Sequence, residues 1–143
     1  CGAGRHMKFL SQHGMRCLGV DVSAQALELA QAYGEVLQAD LEGQPWPLES
    51  RRFDAVVVTH YLWRPLWPHL VHALSDHGVL IYETFALGQE QVGKPSRPEF
   101  LVKPQELLEM ARQHHLTVLA FEDLWLDNPK RRMQRLVARR DPF

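Results

Sequence analysis

The chain lacks a long hydrophobic run. None of its apolar stretches approaches the ~20 residues that cross a bilayer, so no membrane span is expected. No signal peptide is visible. Cysteine is scarce. Cys1 and Cys17 have no framework spacing, which excludes a disulfide-stapled fold and favours a reducing, cytoplasmic setting. Charge of one sign is not in excess: 16 Lys and Arg stand against 17 Asp and Glu. No global field therefore recruits nucleic acid or membrane. Internal repeats and low-complexity segments are absent. The 143 residues are enough for one domain with a real core and too few for two ordinary ones, so one domain over 1–143 is expected.

What is present begins at the first residue. Cys1-Gly2-Ala3-Gly4-Arg5-His6 has the glycine spacing a strand needs to turn tightly into a helix beside a ligand. Such a loop ordinarily follows a buried apolar strand. The expectation is that an apolar central strand ending in a carboxylate precedes Cys1 in the natural protein, and that this domain is N-terminally incomplete. Arg5 to Gln12 reads as a helix stopped by Gly14. Cys17 to Asp21 reads as a strand with Asp21 at its tip. Ser23 is a helix N-cap before Ala24 to Tyr33, closed by Gly34. Val36 to Asp40 is a second apolar run ending in aspartate.

Leu41 to Arg52 is irregular, broken by Pro45-Trp46-Pro47. Phe53 to Val58 is apolar on both faces and suits a central parallel strand. A helix follows from Pro65, with Leu66, Leu70 and Leu74 on one face and Asp76-His77-Gly78 as its closing turn. Val79 to Phe85 is a strand. Ala86 to Lys103 is a long loop, expected to cover the site, with Phe100 and Leu101 as apolar contacts. Pro104 opens a helix, and strands over 116–126 and 131–139 meet at Asp127-Asn128-Pro129. Alternating strands and helices predict a doubly wound α/β sheet, mostly parallel, with one antiparallel C-terminal strand and a ligand at the carboxyl ends of its strands.

The glycine pair alone is a weak signal. A nicotinamide site wants a third glycine three residues after the second, and Met7 stands there. A loop without it suits adenosine without a pyrophosphate. Asp21 is placed to accept from ribose hydroxyls, or only to cap the next helix. Asp40 or its neighbouring backbone is placed for an adenine amino group, or is a plain turn residue. Asp54 lies at the far end of its strand and reads as structural.

Cys1-Gly2-Ala3-Gly4-Arg5, Asp21, Asp40 and Phe53-Asp54-Ala55-Val56-Val57-Val58 resemble motifs I to IV of the class I S-adenosylmethionine-dependent methyltransferases, a Rossmann-like fold. The Cys-Gly-x-Gly-Arg opening is similar to the tellurite-resistance and thiopurine-type small-molecule methyltransferases. The resemblance implies S-adenosylmethionine as cofactor, with S-adenosylhomocysteine as product. It implies that Gly2, Ala3, Gly4 and Arg5 border the methionine part, Asp21 and Val22 the ribose, and Asp40 and Leu41 the adenine. It also implies that Thr59-His60-Tyr61 lines the transfer site. The implied partner is a small-molecule substrate rather than nucleic acid.

Methyl transfer needs an aligned nucleophile in a water-poor pocket more than a dedicated base. Tyr61, Trp63 and Trp67 offer faces for a cation or are simply packed. His60 is the candidate base if the nucleophile carries a proton. Arg64 either holds an anionic substrate or pairs with Glu83. His69 and His72 lack further ligands of metal spacing, so no metal is expected. The basic tail from Lys130 to Arg140 either contacts phosphate or guards a sheet edge. The competing readings are a nicotinamide-dependent oxidoreductase, disfavoured by Met7, and a non-catalytic cofactor-binding or interaction domain.

Overall fold

In the computed structural model, which describes residues 1–142, the chain divides into two compact units, Cys1–Pro47 and a second from Leu48 onward. The first contains α1 (Arg5–Gln12), β1 (Leu18–Asp21), α2 (Ala24–Ala30) and β2 (Glu35–Gln38). Strands β1 and β2 are parallel, registered from Leu18 opposite Glu35 to Asp21 opposite Gln38.

Glycine sets how closely these elements approach. A Cβ on Gly19 would lie 2.4 Å from Sδ of Met7, the buried residue of α1. The methionine standing where a third loop glycine is absent therefore packs directly against a glycine of β1. Ser23 caps α2 as expected, its Oγ accepting from the Ala26 N–H at 3.1 Å. Leu27 and Ala30 are the buried face of α2. The helix ends in a 3-10 turn, Gln31–Tyr33.

The second unit contains β3 (Phe53–Thr59), α3 (Trp67–His72), β4 (Leu74–Phe85), α4 (Glu106–Gln113), β5 (Thr117–Leu126) and β6 (Arg131–Arg139), with the sheet order β3-β4-β6-β5. β3 and β4 are parallel, and β6 runs antiparallel to both β4 and β5. Across the described residues the pairing is the one expected, parallel with a single reversed strand at the C-terminal end. One face of the sheet is core: Leu80, Tyr82, Leu136 and Ala138 are buried. The other carries Val57 and Ile81, which stay between a third and two-fifths exposed.

Two details differ from the sequence expectation. Leu74 is not on the helix. The Phe53 N–H donates to the Ala73 carbonyl, and Leu74 already pairs with Phe53. Asp76-His77-Gly78 is therefore an irregularity inside β4, between Leu74 and Val79, with His77 in the left-handed region at φ 66°. Nor does the basic tail guard an edge, because β6 lies between β4 and β5. Its arginines are engaged within the chain: Arg132 with Asp123, Arg135 with Glu83, and Arg139 with Asp141.

The segment 86–103 forms two 3-10 turns and is pinned at both ends. Ala86 bridges Val102, and Gln89, itself buried, accepts from the Arg132 N–H and donates to the Lys94 carbonyl. Leu101 is a core residue at 1% exposure, while Phe100 is 42% exposed.

Candidate functional site

In the first unit, Gly2 and Gly4 both take left-handed backbone, φ 54° and 93°. Around Gly2 a Cβ would meet nothing within 4 Å, so the loop keeps free space there. Gly4 is buried, and a Cβ would sit 3.1 Å from Ala30. Gly4 thus serves the packing of loop on helix, while Gly2, Ala3 and Arg5 are exposed.

Asp21 sits at the tip of β1 with its carboxylate facing this loop. Its Oδ2 accepts from the Gly2 N–H at 2.8 Å and from the Cys1 amino group at 3.2 Å, and Oδ1 accepts from the Ser23 N–H at 2.9 Å. Burial alone would raise its pKa. The Ser23 and Gly2 N–H groups and the Cys1 amino group outweigh burial and hold the carboxyl below its ordinary value. Three of its roughly four acceptor directions are thus taken, leaving one on Oδ1.

Val22 follows it as an exposed apolar residue, 64% accessible. The two strand tips are tied together: the Ala39 N–H donates to the Asp21 carbonyl, and Gln38 Nε2 to the Val22 carbonyl. Asp40 comes next and is exposed. Its Oδ1 accepts from the N–H groups of Glu42 and Gly43, so it shapes its own turn through Leu41. The outward-facing loop and the spare carboxylate direction fit a neutral, hydroxyl-rich adenosine group.

In the second unit, Thr59, His60 and Tyr61 stand where β3 ends. His60 has left-handed backbone at φ 54°, a conformation costing about 1–3 kcal/mol in a non-glycine residue. Its N–H donates to the Glu83 carbonyl at 2.8 Å. Its ring packs against Phe85 at 5.0 Å between centroids. Ring Nε2 lies 3.2 Å from Glu83 Oε1, and Arg135 Nε donates to Glu83 Oε2 at 2.6 Å. Burial would raise the Glu83 carboxyl, but Arg135 and His60 outweigh it and hold it low.

The expected alternative pairing of Arg64 with Glu83 is corrected here. Arg64 instead forms a two-pronged pair with Glu106, Nε to Oε2 at 2.6 Å and NH2 to Oε1 at 2.9 Å. It also donates to the carbonyls of Glu99 and Leu101. Its guanidinium lies over Trp67, which occupies that ring. Burial would raise Glu106, and Arg64 together with the Lys103 N–H brings it below its ordinary value.

Tyr61 is held by its carbonyl, which accepts from the Tyr82 hydroxyl at 2.7 Å. Burial pushes Tyr82 up to about 12, so it stays a neutral donor. Asp54 accepts from Ser75 and is structural, as its position at the start of β3 implied. The roles of Arg135 and Glu106 were not anticipated. The only sequence signal for them was complementary charge, and their partners lie 52 and 42 residues away.

A cavity of about 500 Å³, lined by His72, Asp76, His114, His115 and Arg140 among others, contains none of the candidate residues. Among the described residues no group of three or more His, Cys, Asp or Glu is arranged to hold a metal ion. No helix there is long and apolar enough to cross a membrane.

The methyltransferase domain family matches residues 1–77. The chain belongs to that family. S-adenosylmethionine is the cofactor this membership implies. No protein of curated function matches the sequence. The fold of this methyltransferase domain is shared with solved structures of low identity. TehB from Haemophilus influenzae superposes with a TM-score of 0.79 at 17% identity, over 99% of this chain and 55% of that one. An S-adenosylmethionine dependent methyltransferase from Mesorhizobium loti gives 0.74 at 19% identity, over 98% and 88%. A TehB-like S-adenosylmethionine-dependent methyltransferase from Corynebacterium glutamicum gives 0.71 at 18% identity, over 99% and 77%. The chain thus spans little more than half the length of the Haemophilus protein.

Proposed function

We propose that this chain transfers a methyl group from S-adenosylmethionine to a small-molecule acceptor. The observation that carries the reading is the left-handed Gly2 loop, with open space beside it, facing the Asp21 carboxylate at the tip of β1. Gly2, Ala3, Gly4 and Arg5 border the methionine part in this reading. Asp21 and Val22 take the ribose, and Asp40 and Leu41 the adenine edge. The cofactor supplies an electrophilic methyl group on a sulfonium. Thr59 borders the cofactor at the transfer site, and His60 and Tyr61 line the acceptor side. Arg64 has most of its donors committed to Glu106 and two carbonyls, which favours holding the fold over holding an anionic substrate. The internal partners of the β6 arginines favour a small acceptor over nucleic acid.

Calorimetry with S-adenosylhomocysteine and with NAD tests the donor. S-adenosylhomocysteine is expected to bind and NAD not, and Asp21→Ala should weaken the former by about 10- to 100-fold, the worth of hydrogen bonds to a charged group. Binding of NAD without S-adenosylhomocysteine would overturn the reading. A methyl-transfer screen over thiols, metalloid oxyanions, amines and carboxylates then finds the acceptor class, and no turnover on any of them would favour a binding domain.

A further inference from the structure

We propose that Glu83 and Arg135 are positioning residues that hold His60 as the proton acceptor for a substrate whose attacking atom carries a proton. The proposal rests on the methyl-transfer reading and narrows it to acceptors such as thiols, hydroxyls or N–H groups.

Glu83 and Arg135 belong to one row across the sheet. Thr59 pairs with Glu83, Glu83 with Arg135, and Arg135 with Glu122, so strands β3, β4, β6 and β5 each contribute one residue at the same level. Paired residues share a face of the sheet, and His60 leaves β3 immediately after Thr59. Its left-handed backbone aims the N–H at the Glu83 carbonyl and the ring at the Glu83 carboxylate.

An ionised carboxylate only accepts hydrogen bonds. The neutral imidazole must therefore carry its proton on Nε2, which faces Glu83 Oε1, and Nδ1 is left with the lone pair. Arg135 holds the other carboxylate oxygen and keeps Glu83 ionised. The side chain of His60 is 42% exposed, open enough to meet a substrate, while Glu83 at 26% is more sheltered.

The proton balance is simple. As the acceptor atom bonds to the methyl carbon, the carbon–sulfur bond breaks and its electron pair goes to sulfur. The acceptor proton passes to Nδ1 of His60 and from there to water.

The test is Glu83→Gln. Arg135 Nε can bond only the amide oxygen, which turns the amide NH2 toward His60. Nε2 must then accept, and the imidazole proton moves to Nδ1, where the lone pair was. Nitrogen-15 NMR of the protein without ligands reads this directly. Wild type is expected to show protonated Nε2 and unprotonated Nδ1 for neutral His60, and Glu83→Gln the reverse. With phenylmethanethiol, an alkyl thiol that keeps its proton at neutral pH, as the acceptor probe, Glu83→Gln should lower kcat by about 100-fold or more, the usual contribution of a positioned base. KM and S-adenosylhomocysteine affinity should stay within a factor of about two. Arg135→Lys, which keeps the charge beside Glu83, should retain the wild-type tautomer.

Protonated Nδ1 in wild type overturns the proposal, as does unchanged kcat in Glu83→Gln with the tautomer reversed. Failure to bind S-adenosylhomocysteine would instead strike the methyl-transfer reading and leave the tautomer measurement standing on its own.

Discussion

Arg64 spends its guanidinium on the chain itself. It clamps Glu106, the first residue of α4, and two carbonyls of the loop before it. Arg64→Ala is expected to cost about 1–2 kcal/mol in chemical denaturation, the lower part of the charged hydrogen-bond range, because the side chain is 35% exposed. A loss below about 0.3 kcal/mol would show the clamp to be dispensable. At this scale the sequence was legible where partners are neighbours. Ser23 lies three residues from the N–H it caps, and Asp21 two residues from one of its donors. Residue type and spacing suffice there. The pairs Arg64–Glu106 and Arg135–Glu83 depend on how distant strands and helices come together, and local periodicity carries no information on that.

Among the elements, helices and strands were read almost to the residue where punctuation was strong. Gly34, for example, marks the end of the α2 segment and the start of β2. The structure adds a reason that no pattern contains: a Cβ on Gly34 would lie 2.4 Å from the Cys17 carbonyl oxygen, which accepts from the Glu35 N–H at 3.0 Å. Gly34→Ala is therefore expected to destabilise the first unit by about 1–3 kcal/mol, the range for overpacking against fixed backbone. Thermal unfolding followed by circular dichroism measures it, and an unchanged midpoint would show that the backbone can yield. The start of β4 was the opposite case. Asp76-His77-Gly78 has turn chemistry, and only the pairing of Leu74 with Phe53 reveals that the strand continues past it. Likewise, β6 carries enough arginine to resemble an edge, yet those charges are accepted inside the sheet because Asp123, Glu83 and Asp141 meet them.

For the molecule as a whole, three partly sheltered carboxyls, Asp21, Glu83 and Glu106, lie below their ordinary values of 3.8 and 4.5. A carboxyl depressed by folding contributes stability that is fully present above its unfolded value and is lost as pH falls through its folded one. Stability should hold flat above about pH 5.5 and fall steadily below about pH 4.5, following the ordinary carboxylate range. Urea midpoints measured between pH 3 and pH 7 check this. Glu106→Gln should lower stability at pH 7 and make the acid limb shallower, and a limb of unchanged steepness would assign the acid sensitivity to other carboxyls.

The place of β6 has a consequence for how the protein is made. β6 follows β4 and β5 in the chain, yet it is an interior strand, inserted between them. Through Gln134, which is wholly buried, it also holds the Leu107 N–H and the Lys103 carbonyl. At the usual ~5–20 residues per second, about 3–10 s separate the synthesis of Phe85 from that of Arg139. During that interval β4 is finished and translated with one flank waiting, and the nascent sheet is a candidate client for chaperones until its keystone arrives.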